Sequence, residues 1–349
     1  MTATAPPVWP AGIELREDWL AQVREDIIEP DLEIVDPHHH LWVRGTPETP
    51  AAYEMEALWR DTGSGHKVVQ TVYIECRSYW DPGAPAHLQS VAETARVAEM
   101  ARTAPEGKAR IAGIVAYVDL TLEPALLDNA LDAHLAAGEG LVKGIRHSGA
   151  RDPEPGALII PGRGTPGQYA DPAFRRGVAR LGERGLTFDT WHFHHQNPDF
   201  HDLARAVPDT VMVLDHFGTP LGVGRYAGQR EAIFARWQRD VEAIAACPNV
   251  VAKLGGMAMP DNGFGWMDRA TPATSDEIVT AQGAWYAHML GLFGPDRCMF
   301  ESNFPVDRTA VSYPVLWNAF KKMARDLDAV DKRAVFAGTA RRIYGLPPA

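Results

Sequence analysis

Short runs of apolar and β-branched residues alternate along this chain with longer stretches of helical spacing. The runs at 32–38 (LEIVDPH), 67–76 (KVVQTVYIEC), 111–120 (IAGIVAYVDL), 140–147 (GLVKGIRH), 186–194 (LTFDTWHFH), 210–218 (TVMVLDHFG), 249–256 (NVVAKLGG) and 297–304 (RCMFESNF) predict eight strands. Several are apolar at nearly every position, the pattern of parallel strands covered on both faces. Amphipathic stretches such as AHLQSVAETARVAEMART and REAIFARWQRDVEAIAAC lie between them. Strands and helices in this order predict an α/β fold, a (β/α)8 TIM barrel, with a doubly wound open sheet as the alternative. No Gly-x-Gly-x-x-Gly follows the first run, which argues against dinucleotide binding. Residues 1–30, rich in proline and acid, read as an N-terminal arm, and 31–349 as a single barrel domain. Two connections, 148–172 after the fourth run and 257–274 after the seventh, have the length of lids or binding loops.

Polar residues collect where these strands end. Alternate side chains of a strand share a face, so His38 and His40 point one way and His39 the other. Such a pair can place two imidazoles on one divalent ion, or can simply pack and hydrogen-bond. The fifth strand ends in WHFHHQ, where His192 and His194 share a face. Asp215-His216 ends the sixth, Arg146-His147 the fourth, and Glu301-Ser302-Asn303 the eighth, while Glu75 lies on the second. Packing alone would not gather histidines and acids at one end of so many strands. That end is where barrel enzymes keep their sites.

A net charge of −11 excludes an extended nucleic-acid or anionic-membrane surface, which needs clustered Lys and Arg. An anionic substrate would have to meet a local basic pocket, for which Arg146 and Lys253 are candidates. Cys76, Cys247 and Cys298 have neither pair number nor Cys-x-x-Cys spacing, and read as small buried residues of a reducing cytoplasm. The first residues carry no basic or apolar signal region, and no uninterrupted apolar stretch reaches about 18 residues, so neither secretion nor a membrane span is expected.

The motifs DPHHHLW, VYIEC, KGIRH, FDTWHFHHQ, VLDHFG, KLGGM, GFGW, CMFESNFPVD and GTARRIYGL, in this order, resemble the amidohydrolase superfamily. The likeness is to its branch of lactone hydrolases acting on pyrone dicarboxylates, sulfomuconolactone and sugar lactones. It implies that His38, His40 and His194 bind a metal or the substrate, and that His216 is a proton-handling group. The usual eighth-strand aspartate, a metal ligand and base, falls on Asn303. An amide cannot act as a base and is a weaker ligand than a carboxylate. The resemblance therefore implies one divalent metal, zinc or manganese, or a metal-free site. His216, Glu301, Asp307 and Glu75 are the candidate replacement bases.

Arg146 suits bidentate capture of a carboxylate or a buried ion pair, and Lys253 a substrate anchor or a core lysine. Tyr79, Trp80, Trp191, Phe264 and Trp266 could wall a ring-binding pocket, and the glycines of NGFGW would let that loop close. These residues predict a hydrolase that opens a lactone or similar cyclic ester of a small anionic ring substrate. A metal-dependent decarboxylase of an aromatic or unsaturated acid is one alternative. A non-catalytic binding protein that lost its aspartate is another. A homodimer is a further expectation.

Overall fold

The computed structural model describes residues 16–45 and 50–349. Eight parallel strands run in chain order: Glu33–His39, Lys67–Ile74, Arg110–Ala116, Val142–Arg146, Thr187–Thr190, Met212–Leu214, Val250–Leu254 and Cys298–Phe300. They are called the first to the eighth below. Each pairs with the next, and a parallel bridge between His39 and Phe304 brings the eighth back to the first. The result is a nearly closed (β/α)8 barrel with helices between the strands.

Apolar residues at nearly every strand position have two destinations. One set, including Ile34, Ile114, Phe188, Leu214 and Phe300, faces the helices. The other, including Val35, Val72, Val115, Val213, Val251 and Met299, fills the barrel interior with Tyr344 and Leu346. The C-terminal segment after helix Thr339–Ile343 thus plugs the barrel floor. Burying each of these larger side chains contributes roughly 1.5–3 kcal/mol. A frame of that size can hold irregular backbone at its mouth.

The strands are shorter than the apolar runs. The fifth stops at Thr190 and the sixth at Leu214, four and two residues before the histidines His194 and His216. Both histidines lie on single 3-10 turns, His194–Gln196 and His216–Gly218. His216, Phe217, Thr219 and Asn303 have positive φ, a conformation that costs a residue with a side chain free energy. A two-stranded hairpin, Trp42–Gly45 with Pro50–Tyr53, was not expected and follows the histidine run.

Of the proposed arm, residues 1–15 lie outside the described residues. The short helix Glu17–Leu20 packs onto the long loop after the seventh strand, where Trp19 donates its indole N–H to the Arg269 and Ala270 carbonyls at 3.1 Å. No described helix is long and apolar enough to cross a membrane.

Candidate metal centre and active site

The first strand carries its alternation into the barrel mouth. His38 and His40 face each other with their Nε2 atoms 3.3 Å apart. His39 points away, edge-on to Tyr73, and neither of its ring nitrogens has a hydrogen-bond partner. Each of the inward histidines is held by its other nitrogen. His40 Nδ1–H donates to the Ile74 carbonyl at 2.8 Å, and His38 Nδ1 accepts from Lys253 Nζ at 3.4 Å and lies 2.7 Å from Oε2 of Glu301. His40 Nε2 is thereby left as a lone pair aimed at His38 Nε2. A proton on His38 Nε2, or a cation in its place, fills the gap between the two nitrogens.

Glu301 also takes a second histidine. His216 Nδ1 lies 2.6 Å from its other oxygen, Oε1, and the His38 and His216 rings are 4.5 Å apart. One buried carboxylate therefore lies against two imidazoles and hydrogen-bonds one of them, His216. Burial pushes the Glu301 carboxyl up to about 8, opposed mainly by Lys253. Burial likewise presses His216 down to about 3, which makes it a neutral imidazole. The paired glycines of KLGGM make this packing possible. A Cβ on Gly256 would meet His216 Nδ1 at 2.3 Å, and one on Gly255 would meet the Glu301 carbonyl at 2.1 Å.

Below the histidines lies a ring of charges. Lys253 donates to Asp189 at 2.9 Å and lies 3.2 Å from Asp215, all three fully buried. Tyr344 donates to Asp189 from the floor plug. Arg146 donates to Glu75 at 2.8 Å through Nε and approaches Asp215 to 3.7 Å. Arg146 and Lys253 are thus engaged with protein carboxylates rather than presented to a substrate.

These residues fit a divalent metal. Among the described residues, His38, Asp215 and His216 each bring one ligand atom within 4.8 Å of the others. Neither Asp215 oxygen has a hydrogen-bond partner, and burial raises its carboxyl to about 6. Three buried carboxylates, Glu75, Asp189 and Asp215, meet two buried cations, Arg146 and Lys253, in this network, and Glu301, pushed up to about 8, adds a fourth negative charge as it ionises. A divalent ion would balance the surplus. Zinc–nitrogen bonds of about 2.0–2.1 Å at a tetrahedral angle separate two nitrogens by roughly 3.3 Å, the spacing of His38 and His40. The carbonyl behind His40 Nδ1 and the carboxylate behind His216 Nδ1 are the usual supports of ligating histidines.

His194 does not join that group. Its Nδ1 accepts the Leu221 N–H at 3.2 Å, which leaves the proton on Nε2 and makes that nitrogen a donor. Its ring neighbours are His195 and Tyr226. His192 is a core residue, held between Thr190 and Asn197. Asn303 donates its amide to Asp307 at 2.9 Å, and Asp307 accepts the Ala258 N–H at 3.0 Å. Those bonds tie the eighth-strand end to the loop after the seventh. Burial lifts the Asp307 carboxyl to about 8.

The aromatics divide. Trp80 donates to Glu93 and leans on Tyr117, and Tyr79 reaches Glu54. Trp191 donates to Thr219. Phe264 stacks on Trp266, but Arg230 and Arg269 cover these rings. Over His40 sits an apolar roof of Trp42, Met259 and Val306 with Cys76 and Ile160. Asp261 joins the two long loops by accepting the Ile159 and Ile160 N–H groups, both at 2.8 Å.

The sequence reasoning missed the role of Asp215 and the double attachment of Glu301. The acid directly before His216 at a strand end was the available signal for the first. Nothing local in the sequence signals the second.

Comparison with known proteins agrees with this architecture. The amidohydrolase family model matches residues 35–346. A curated relative, the uncharacterized protein y4mH of Sinorhizobium fredii, is 28% identical over 337 residues, covering 90% of this chain and 99% of the relative. The L-fucono-1,5-lactonase of Burkholderia multivorans is 27% identical over 325 residues, covering 90% and 96%. A crystal structure of an amidohydrolase from Burkholderia multivorans with bound zinc superposes with a TM-score of 0.69 at 26% identity, covering 90% of this chain and 99% of that one. A match over this span, on a barrel whose mouth gathers histidines and acids, leads to one conclusion: the chain belongs to the amidohydrolase family.

Proposed function

We propose that the protein is a hydrolase that opens a lactone or similar cyclic ester of a small ring substrate by attack of water at the barrel mouth. The observation that carries this reading is the gathering of His38, His40 and His216 at the strand ends, with the Nε2 atoms of His38 and His40 3.3 Å apart and His216 hydrogen-bonded to Glu301 through Nδ1. The likeness to an L-fucono-1,5-lactonase supports the ester class, and the zinc in a similar structure supports the metal.

His38, His40 and Asp215 are the residues that would hold a divalent ion, zinc in the first instance. Bound there, it would polarise the ester carbonyl and lower the pKa of water. His216 is the base in this scheme, because its Nδ1 is hydrogen-bonded to Glu301, which can take up the charge of the imidazolium. It accepts a proton from the attacking water as the new C–O bond forms. Glu301 stabilises the resulting imidazolium through Nδ1–H. The acyl C–O bond of the ring then breaks, and the imidazolium returns its proton to the departing ring oxygen. His194, with its proton on Nε2, offers a hydrogen bond to the substrate. The apolar roof keeps bulk water from this exchange.

The test is incubation of the metal-loaded protein with a panel of five- and six-membered lactones in ¹⁸O-labelled water. Ring opening with one labelled oxygen in the new carboxylate is expected. Release of carbon dioxide from aromatic or unsaturated acids, without lactone opening, would replace this reading with a decarboxylase.

A further inference from the structure

We propose that Arg77 and Arg163 form a clamp for a carboxylate carried on the substrate ring, so that the substrate is an acidic lactone rather than a neutral sugar lactone. The inference rests on the lactone-hydrolase reading of the same mouth and names its substrate class.

Arg77 leaves the second strand two residues after Glu75, in a left-handed conformation with φ 60°. Glu93 fixes the loop that presents it. Its carboxylate accepts from the Cys76 and Ser78 N–H groups, both at 3.0 Å, from Tyr73 at 2.7 Å and from Trp80 at 2.9 Å. The Arg77 guanidinium lies over Tyr117 at 5.0 Å and over Trp80 at 5.2 Å. Among the described residues it makes no ion pair. The acid beside it in sequence, Glu75, is bonded to Arg146, and Glu93 is occupied by the four donors above.

Arg163 comes from the long loop after the fourth strand, between two glycines that press the chain onto the strand end. Gly164 N–H donates to the Ala150 carbonyl at 2.8 Å. A Cβ on Gly162 would meet that same oxygen at 1.8 Å, and one on Gly164 would meet the Gly149 carbonyl at 2.1 Å. Only glycine permits this contact, which pins the segment carrying Arg163 against the residues that follow the fourth strand. Although its side chain is exposed by area, burial and the like charge of Arg77 lower its pKa, and Glu75, Arg44 and Tyr117 also act on it. Arg163 has no carboxylate partner among the described residues.

Arg44 adds a third guanidinium, over Trp42 at 4.3 Å and donating to the Cys76 carbonyl. On a chain of net charge −11, Arg77 and Arg163 on loops and Arg44 on the hairpin act on one another where Glu75 and Glu93 are already engaged. Such crowding is unfavourable until an anion joins it. The guanidinium fork matches a carboxylate, and the Tyr117 and Trp80 rings offer a flat wall for the ring that bears it.

The test compares a butenolide bearing a carboxymethyl group with its primary amide, on metal-loaded enzyme. The acid-to-amide ratio of kcat/KM should exceed about ten in the wild type. Arg77→Gln and Arg163→Gln should each lower that ratio about tenfold, chiefly through KM for the acid, and Arg163→Lys should keep part of it. A ratio near one, or a ratio the variants leave unchanged, overturns the clamp while lactone hydrolysis stands. If neither compound is opened, the hydrolase reading fails, and calorimetric binding of the ring-opened dicarboxylate decides the clamp. Binding about tenfold weaker in each variant supports it, and equal binding in all proteins overturns it.

Discussion

His38 and Glu301, 263 positions apart in the chain, meet across 2.7 Å because the barrel brings its first and eighth strands together. The other Glu301 oxygen holds His216 at 2.6 Å, so this one carboxylate touches two imidazoles and sets the tautomer of His216. Glu301→Gln keeps the shape but presents only one oxygen, and its NH₂ can donate but not accept. One histidine then loses its support. Steady-state kinetics should register a fall in kcat of about 10²-fold or more. A metal titration should find affinity about 10–100-fold weaker. Wild-type values for both would remove Glu301 from the mechanism.

The three histidines of the run should separate sharply on alanine substitution. His38→Ala and His40→Ala should each reduce turnover by about two orders of magnitude or more. His194→Ala should be comparably damaging if its Nε2–H binds substrate. His39→Ala empties a buried site against Tyr73 and should lower Tm while leaving most of the turnover. Equal catalytic losses at 38, 39 and 40 would contradict the facing of the strand.

Gly256 is a second point of leverage. Its φ of +71° and the 2.3 Å approach of a Cβ to His216 Nδ1 leave an alanine no place without moving the imidazole. Gly256→Ala should cost about 1–2 kcal/mol of stability and most of the activity. Gly291, on the helix Ser275–Phe293 with nothing within 4 Å of where a methyl would sit, is the matched control. Gly291→Ala should leave turnover intact and raise Tm slightly. Thermal melts and kinetics on the two variants check both statements.

A buried histidine outside the metal centre should govern part of the acid sensitivity. His134 is enclosed between Ser90 and Thr94, and burial lowers its pKa to about 4. The unfolded chain, with an ordinary histidine near 6.5, binds the proton more readily. The stabilisation is therefore present above about pH 6.5 and is lost as pH falls from there towards 4. The shift corresponds to at most about 3 kcal/mol. His134→Gln should narrow the gap between urea midpoints at pH 7 and pH 4.5. An unchanged gap would mean that His134 is not the group responsible.

Much of this was legible in the chain, and the part that was not has a physical cause. Near-continuous apolar runs announced parallel strands, because covering both faces leaves no polar side. The facing of His38 and His40 followed from alternation, since the backbone is still extended there. His194 and His216 lie beyond the ends of their strands on 3-10 turns, where the period of two has already lapsed. Alternation therefore could not tell that one nitrogen of His194 is occupied by Leu221. Arg146 looked available for a substrate because its partner, Glu75, is 71 positions away. Arg77 and Arg163 sit on irregular loops, where no side-chain period signals a partner.

Elemental analysis of protein purified without chelator or histidine tag tests the metal centre most directly, with His38→Ala and Asp215→Asn measured alongside. About one divalent ion per wild-type chain, zinc or manganese, is expected, with the content and the lactone-opening rate falling together in both variants. A wild-type protein that opens lactones at full rate while holding no metal, and that takes none up on dialysis against zinc or manganese, would contradict it.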